Sequence, residues 1–464
     1  MKKLVIFTFV IFAFLFAMPA LAVENFNFLR FFNTQTFTQD KEIALPASLA
    51  LWNLSAIDLG GDGTFEILAG SPSGVKTTVK ILRSDGSKIN EFSPYDKNFK
   101  GGVSVASCNL DNDGQSEIIT GPASDGGPHI RVFDGYGKEK VNTGFFAGDK
   151  NKKMETSVGC ADINGDKKDE IVVVAGEPYN QKMIGIFDAS GNKIAQVKTD
   201  LVGRGIKISK VDLGGDGTDE ILVSGGYLDG LKLRIYRGDL SLLSGFLNND
   251  SNLKDGASAI GADIDGDGKS EVISFAGSLL RPSVKIFDGY GNEKNSFMAW
   301  NEDFLGGVSG LVADFNGDGK KEILVTPKRL VTGRTDLGKY IEVTLSTQNF
   351  KYFDQGIMLG EFLTSTGKPS TQTRQGTFTA FSKYEMAYGG ISGQTWGMPY
   401  FIGFYKSGAT ENGIHELPFL NGLREGNGDL GHAVSHGCVR LGIGPAKEVF
   451  NWVEINKTKV WVHR

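Results

Sequence analysis

An acidic loop recurs six times at a nearly constant interval, and this repeat limits the fold more than any other feature of the chain. The copies begin at Asp58, Asn109, Asp162, Asp212, Asp263 and Asp314, which are 51, 53, 50, 51 and 51 residues apart. A glutamate follows eight residues after each first position (Glu66, Glu117, Glu170, Glu220, Glu271 and Glu322), and an apolar pair such as Ile67-Leu68 or Val272-Ile273 comes next. A second phrase, Val132-Phe133-Asp134-Gly135-Tyr136-Gly137, returns as Ile286-Phe287-Asp288-Gly289-Tyr290-Gly291 and reads as a strand entering a hairpin turn. A unit of this length with about four short strands cannot bury its apolar face alone, so the units must stack, and the period indicates a β-propeller. The 63 glycines and the near absence of helical periodicity before residue 443 agree with many strands joined by tight turns.

Residues 26–330 divided by the repeat length give about six units, so six blades are expected. The last copy has inner strands near 308–313 and 322–326 but then runs into Pro327-Lys328-Arg329. Its missing outer strands can come from Phe26–Phe32 and Thr36–Ile43, which would close the ring and remove its open edges.

Four of the loops place oxygen side chains at positions 1, 3, 5 and 9, with glycines relieving the turn, a pattern suited to a hard cation such as Ca²⁺. An EF-hand is excluded, because its last ligand falls at position 12 and helices flank it, whereas β-branched runs flank these loops. The candidate ligands are Asn109, Asp111, Asp113 and Glu117; Asp162, Asn164, Asp166 and Glu170; Asp263, Asp265, Asp267 and Glu271; and Asp314, Asn316, Asp318 and Glu322. The fullest sets are those at Asp263 and Asp314, while Gly60 and Gly214 stand where ligands belong in the loops at Asp58 and Asp212. The pattern resembles the calcium-binding hairpin loops of integrin α-chain (FG-GAP-type) propeller repeats. The competing reading is that the acids merely cap turns. Cys108 and Cys160 sit just before consecutive loops, one residue out of register, so alternation along a strand aims them differently and buried free thiols are expected.

The chain opens with Lys2-Lys3, an apolar run from Leu4 to Met18, and Ala20-Leu21-Ala22, which read as an export signal cleaved after Ala22. The run is short for a membrane span, so no membrane attachment is expected after cleavage. Loss of the two lysines leaves 47 basic against 54 acidic residues, a balance of −7 that gives no footprint for nucleic acid. The exported protein would reside in a periplasm, a cell wall or the extracellular space.

Beyond residue 330 the repeat stops. Val331–Gly338 reads as a linker between 23–330 and a second domain at 339–464, which the two motif systems touch only there. Strands are expected at 340–346, 350–354, 357–364, 376–381 and 400–405, and Val460-Trp461-Val462 forms another. Pro445 opens one helix, with Ala446, Val449, Phe450 and Val453 as its apolar stripe. Near the end stands Ser435-His436-Gly437-Cys438-Val439-Arg440, with Gly413-Ile414-His415-Glu416 upstream. An unperturbed thiol is mostly protonated at neutral pH, so a nucleophilic cysteine needs a base, and His436 is too close in sequence to be the obvious one.

This segment resembles the L,D-transpeptidase catalytic domain, whose motif is a histidine, a spacer, then Ser/Thr-His-Gly-Cys, an apolar residue and Asn or Arg. Ile341–Ser346, Ser365-Thr366-Gly367-Lys368-Pro369, Gly376-Thr377-Phe378 and Trp396–Phe401 share in the resemblance. Two features depart from it: the nineteen residues between His415 and Ser435, and Glu416 where a small residue is common. Both suggest an insertion in the substrate loop. The expected fold is therefore all-β: a six-bladed propeller, then a mainly β transpeptidase-like domain with one C-terminal helix. The resemblance implies that Cys438 attacks peptidoglycan stem peptides with His415 as base and no catalytic cofactor. It also implies that backbone N–H groups around His436-Gly437-Cys438 hold the oxyanion, with Ser435 beside them. His436 would shape the turn, and Arg440 would bind either a substrate carboxylate or a local acid. Trp396, Met398 and Tyr400 fit a cleft or a core equally, His432 a surface, and His129 and His463 have no evident partners. Two rival readings are an L,D-carboxypeptidase using water and an adhesive propeller with weak catalysis. The propeller would bind or position, with its ligand left open by the motifs.

Overall fold

The computed structural model describes residues 28–44, 52–140, 143–178, 180–226, 229–230, 232–244, 256–329, 332–391, 394–408 and 410–464. The expected export signal, 1–22, lies outside them. The described chain is all-β apart from one α-helix and a few 3₁₀ turns, and none of its helices is long and apolar enough to cross a membrane.

The repeats fold as six four-stranded antiparallel sheets. Each acidic loop joins the first strand of a sheet to the second, and its ninth-position glutamate opens that second strand, as at Glu170–Gly176 and Glu271–Phe275. Four of the six second strands are buried from end to end, so they read as continuous apolar runs rather than as alternation. Fourth strands such as Lys193–Lys198 and Glu293–Met298 alternate towards solvent and are largely polar.

The sheets form a ring. The first strands, Asn53–Ile57, Val103–Cys108, Glu155–Ala161, Lys207–Val211, Ser258–Ala262 and Val308–Ala313, each touch the next, and the last touches the first. Apolar clusters fill the spaces between sheets, for example Ala106, Ile119, Val158 and Ile171. One hydrogen bond recurs between neighbouring loops: the residue before the opening glutamate donates its N–H to the first residue of the preceding loop. It joins Asp169 to Asn109 (2.7 Å), Asp219 to Asp162 (2.8 Å), Ser270 to Asp212 (2.7 Å) and, across the closure, Phe65 to Asp314 (2.8 Å). The N-terminal strands complete the last sheet: Phe28–Asn33 pairs with both Glu322–Pro327 and Gln39–Ala44.

Cys108 and Cys160, expected as free thiols, form a disulfide with a Cα–Cα separation of 5.7 Å, well inside the usual range. Alternation describes directions within one sheet. These cysteines belong to two sheets packed face to face, where a one-residue offset does not separate the side chains.

Residues 338–464 form two further sheets. One has the order Ile357–Leu363, Asn349–Asp354, Tyr340–Thr344, Lys459–His463, Gly376–Thr379, with Lys459–His463 running parallel to Tyr340–Thr344. The other contains Gln394–Ser407, Thr410–Glu416 and Val439–Leu441. Their shared core includes Ile341, Val343, Ile402, Ile414, Val439 and Val460. The helix Pro445–Trp452 buries Ala446, Val449 and Trp452 against it, whereas Phe450 is half-exposed and packs on Tyr400.

The two halves meet well beyond the linker. Arg329 Nη1 donates to the carbonyls of Met358 and Leu359 (both 3.0 Å), and Leu279 and Leu305 pack against the second core. Arg204 Nη1 lies 3.6 Å from Glu448 on the helix, while its Nε lies 2.9 Å from Glu155, which Lys182 also meets at 2.8 Å. Glu448 is buried and accepts a hydrogen bond from the Tyr352 hydroxyl. These cross-contacts use residues outside both motif systems, which is why the motifs did not signal them.

Candidate active site

The turn carrying Cys438 is fixed by hydrogen bonds before any chemistry is considered. Ser435 is wholly buried; its Oγ donates to the Cys438 carbonyl (2.6 Å) and accepts the Gly437 N–H (3.1 Å). Thr371 Oγ1 and the Lys368 N–H donate to the Ser435 carbonyl, and Thr373 Oγ1 donates to the Gly437 carbonyl (3.0 Å). Gly437 has φ +117, and a Cβ there would meet Asn412 Oδ1 at 3.1 Å, so only glycine fits without strain. The Ser365–Thr373 stretch thus serves as a brace for this turn.

Ser435 was expected at the oxyanion or substrate and His436 as the shaper of the turn. Ser435 spends its hydroxyl inside the turn, whereas His436 is exposed and stands edge-on to Trp396 with ring centroids 5.9 Å apart.

His415 lies on the strand Thr410–Glu416, in parallel register with Arg440. Cys438 stands two residues before Arg440, as Gly413 stands two before His415, and the Gly413 N–H reaches the thiol. Cys438 Sγ is 3.9 Å from Asn412 Oδ1. His415 is buried (2% exposed), stacks on Phe401, and has Nδ1 2.6 Å from the Glu416 carbonyl. A carbonyl only accepts, so Nδ1 carries the proton and Nε2 is left as the acceptor.

Burial sets the charge state of both groups. It pushes the His415 pKa down to about 4, helped by the nearby Arg440 charge. It pushes the Cys438 thiol up, opposed by the Gly413 N–H and by Arg440. The resting pair at neutral pH is therefore thiol and neutral imidazole, not thiolate and imidazolium.

Arg440 is buried, and its Nη1 lies 2.7 Å from Glu425 and 3.7 Å from Asp429, so of its two expected roles the local acid is the one seen. Its guanidinium also lies over Trp396 at 5.4 Å. Two donors remain without hydrogen-bond partners here, Arg440 Nε and Trp396 Nε1. Glu416 is buried, pairs with Arg424 and accepts the Gly444 N–H (3.2 Å). It holds the short hairpin Phe419–Arg424 inside the long His415–Ser435 spacer. Tyr400 adopts φ +55 beside the helix, and Met398 is half-buried. His432 is exposed, His129 stacks on Phe146 at 4.5 Å, and His463 Nε2 meets Glu342 at 2.8 Å. Asn412, Thr371 and Thr373 were not singled out from sequence; their only signal was proximity to the motifs.

The acidic loops form a second candidate site. Carboxylate oxygens converge within 4.8 Å in three of them: Asp111, Asp113 and Glu117; Asp263, Asp265 and Asp267; and Asp314, Asp318 and Glu322. The expected set at Asp162, Asn164, Asp166 and Glu170 is not so gathered among the described residues, and Asn164 Nδ2 instead donates to Glu170 (3.0 Å). First-position aspartates accept backbone N–H groups from within the loop, as Gly266 and Gly268 give to Asp263 (2.7 and 3.1 Å). Every ninth-position glutamate accepts the N–H of the loop's second residue. In two loops a lysine enters the cluster. Lys294 Nζ contacts Asp265 (2.8 Å) and Glu271 (2.9 Å), and Lys140 contacts Asp111 (3.1 Å) and Glu117. The donor sets fit a hard cation in kind, and among the described residues the loop at Asp314 is free of such a lysine.

Comparison with known families bears on both halves. Residues 338–462 match the L,D-transpeptidase catalytic domain. Residues 263–325 match an FG-GAP-like repeat. Among solved structures, a mutant of the Enterococcus faecium L,D-transpeptidase is 28% identical over 27% of this chain and 50% of its own, with a TM-score of 0.23. The catalytic domain of the E. faecium enzyme is also 28% identical, over 27% of this chain and 98% of that one, with a TM-score of 0.23. Mycobacterium tuberculosis L,D-transpeptidase 1 is 18% identical over 40% of this chain and 72% of its own, with a TM-score of 0.22. The match thus spans half the length of the first of these. Comparison with curated proteins found no match.

Proposed function

We propose that the chain is an exported cysteine L,D-transpeptidase acting on peptidoglycan stem peptides, whose six sheets are the blades of a propeller that binds or positions. The observation carrying this reading is the placement of Cys438 against Gly413, two residues before His415, with His415 Nδ1 tied to a carbonyl so that Nε2 is left to act as the base. The resting pair is neutral, so the proton leaves the thiol as sulfur attacks the peptide carbonyl. A C–S bond forms, the peptide C–N bond breaks, and the proton taken by Nε2 passes to the departing amine. A second stem's amine then attacks the thioester carbon, the C–S bond breaks, and a proton of that amine passes through Nε2 to the departing sulfur, which restores the thiol. Within the His436-Gly437-Cys438 turn the Gly437 N–H is spent on Ser435, so the Cys438 N–H is the donor for the tetrahedral oxyanion. Arg440 lowers the cost of the forming thiolate and opposes protonation of His415. Calcium bound in the loops at Asp263 and Asp314 would stabilise the propeller by cross-linking loop oxygens, with no part in catalysis.

The test is covalent labelling by a carbapenem-type β-lactam, followed by intact mass. Cys108 and Cys160 are paired, so the adduct is expected on Cys438 alone and should vanish in Cys438→Ala. An undiminished adduct in that variant overturns the assignment. Incubation with stem tetrapeptides and an amine acceptor then separates crosslinked product from simple trimming.

A further inference from the structure

One register position, five residues before each acidic loop, carries a polar side chain in all six sheets: Asn53, Ser104, Ser157, Lys207, Ser258 and Ser309. All six line one cavity of about 460 Å³ bounded by the first strands of the ring, a size typical of small-molecule sites. They form a collar at the end of the ring away from the acidic loops, where Arg204 and Arg329 reach the second half.

Three members of the collar are satisfied by the scaffold: Asn53 Nδ2 donates to Val103 (2.8 Å), Ser157 Oγ to Ile206 (2.7 Å), and Ser104 Oγ accepts from Val158 (3.1 Å). Two neighbours on adjacent strands are not. Ser258 is 9% exposed, and its Oγ has no hydrogen-bond partner. Lys207 has no hydrogen-bond or ion-pair partner among the described residues, and the like charge of Lys328, whose Nζ donates to the Gly256 carbonyl (2.8 Å), acts on it. Thr156 Oγ1, also lining the cavity, is buried and unpartnered. Burial, with the Lys328 charge, holds the Lys207 pKa down to about 8. The carboxylates of this cavity are engaged elsewhere: Glu155 by Lys182 and Arg204, Asp169 by Lys210, and Asp58 by its own loop. An unpaired cation and unpaired hydroxyls are costly in a half-buried site, and an oxygen-rich anion reverses the sign of both terms.

We propose that the collar is a binding site for a small hydroxylated carboxylate of the sugar-acid class. Its carboxylate sits at Lys207, and its hydroxyls pair with Ser258 and Thr156. The site lies across the ring from the acidic loops and is separate from Cys438.

Glucuronate is the probe, titrated into the full chain by calorimetry, with glucose and inorganic phosphate as comparisons. The expected result is millimolar binding of glucuronate, at least tenfold weaker binding of glucose, and at least tenfold loss in Lys207→Met. Lys207→Arg, which keeps the charge, should retain most of the affinity. Ser258→Ala removes one unpaired hydroxyl at little risk to folding, and it should weaken glucuronate a few-fold. Absence of glucuronate binding, equal affinity in Lys207→Met, or phosphate binding as tightly as glucuronate would each overturn the proposal.

Discussion

Two kinds of buried site, one in the ring and one at Cys438, treat charge in opposite ways. In the ring, Glu155 is held by Lys182 and Arg204, and Glu271 by Lys294, whose pKa is raised by Asp265 and Glu271. At the active site His415 is buried with no acid beside it, and burial outweighs the Arg440 charge at Cys438, so both sit in their neutral forms. Charge pairing fixes a shape, whereas withheld charge leaves a proton to be moved. The difference separates a scaffold from a reaction centre more clearly than composition does.

The sharpest way to break this comparison is to remove the base. His415→Ala should slow acyl-adduct formation by about 10²–10⁴-fold, read by stopped-flow or intact mass. The wild-type pH profile is a second test. Imidazole works as a base only when neutral, so the rate should hold as pH falls below 6 and drop only towards pH 4. A break near the ordinary histidine value would show that burial does not control His415.

Next in size is the disulfide, which closes a loop of 52 residues. The paired Cys108→Ala and Cys160→Ala change should cost the ring about 4 kcal/mol in the chain-entropy picture, seen in denaturant melts. Adduct formation at Cys438 should persist under native conditions, and its loss would mean the halves do not respond separately.

Calcium should follow. An ion held at a hundred times its Kd adds about 2.7 kcal/mol, so chelation should lower the melting temperature and Asp267→Ala the stoichiometry. Asp62→Ala should change little, since Gly60 already removes a ligand there. Lys294→Gln sharpens the comparison: the ammonium competes with a cation for Asp265 and Glu271, so its removal should tighten calcium binding in titrations.

The smallest effect belongs to the contact between halves. Arg204→Gln removes a partly exposed partner of both Glu448 and Glu155, each pair worth about 0.2–1 kcal/mol. Residues 335–464 alone should still form the adduct, but should lose more activity on intact peptidoglycan than on soluble stem peptides, because tethering matters only for a polymer. Equal losses on both would assign the ring a direct part in shaping the site.

Much of this was legible in the sequence because it repeats or because it clusters. Six loops at one period implied six sheets, and apolar runs at both ends of the repeat region implied their union, seen as Phe28–Asn33 against Glu322–Pro327. Cys438 and His415 stood out as rare residues in a dense motif. Less legible were features that depend on two faces meeting. The Cys108–Cys160 bond, the Arg204–Glu448 contact and the Glu425 partner of Arg440 each join residues from separate elements, where neither spacing nor periodicity carries information. The strand Ser382–Ile391 was also missed, since its glycines and exposed Tyr384, Met386 and Tyr388 resemble a loop more than a core strand.

The pairing of Arg30 with Val325 also has a consequence in time. The first strand emerges from the ribosome about 300 residues before its partner, a delay of roughly 15–60 s at about 5–20 residues per second. Until then Leu29, Phe31 and Phe32 stand on an unclaimed edge, and they are the residues with which two nascent copies would adhere. Any cell that makes this chain must therefore keep its beginning waiting for its middle, and a holding chaperone acting on the first forty residues should raise the yield of closed rings more than one acting anywhere later.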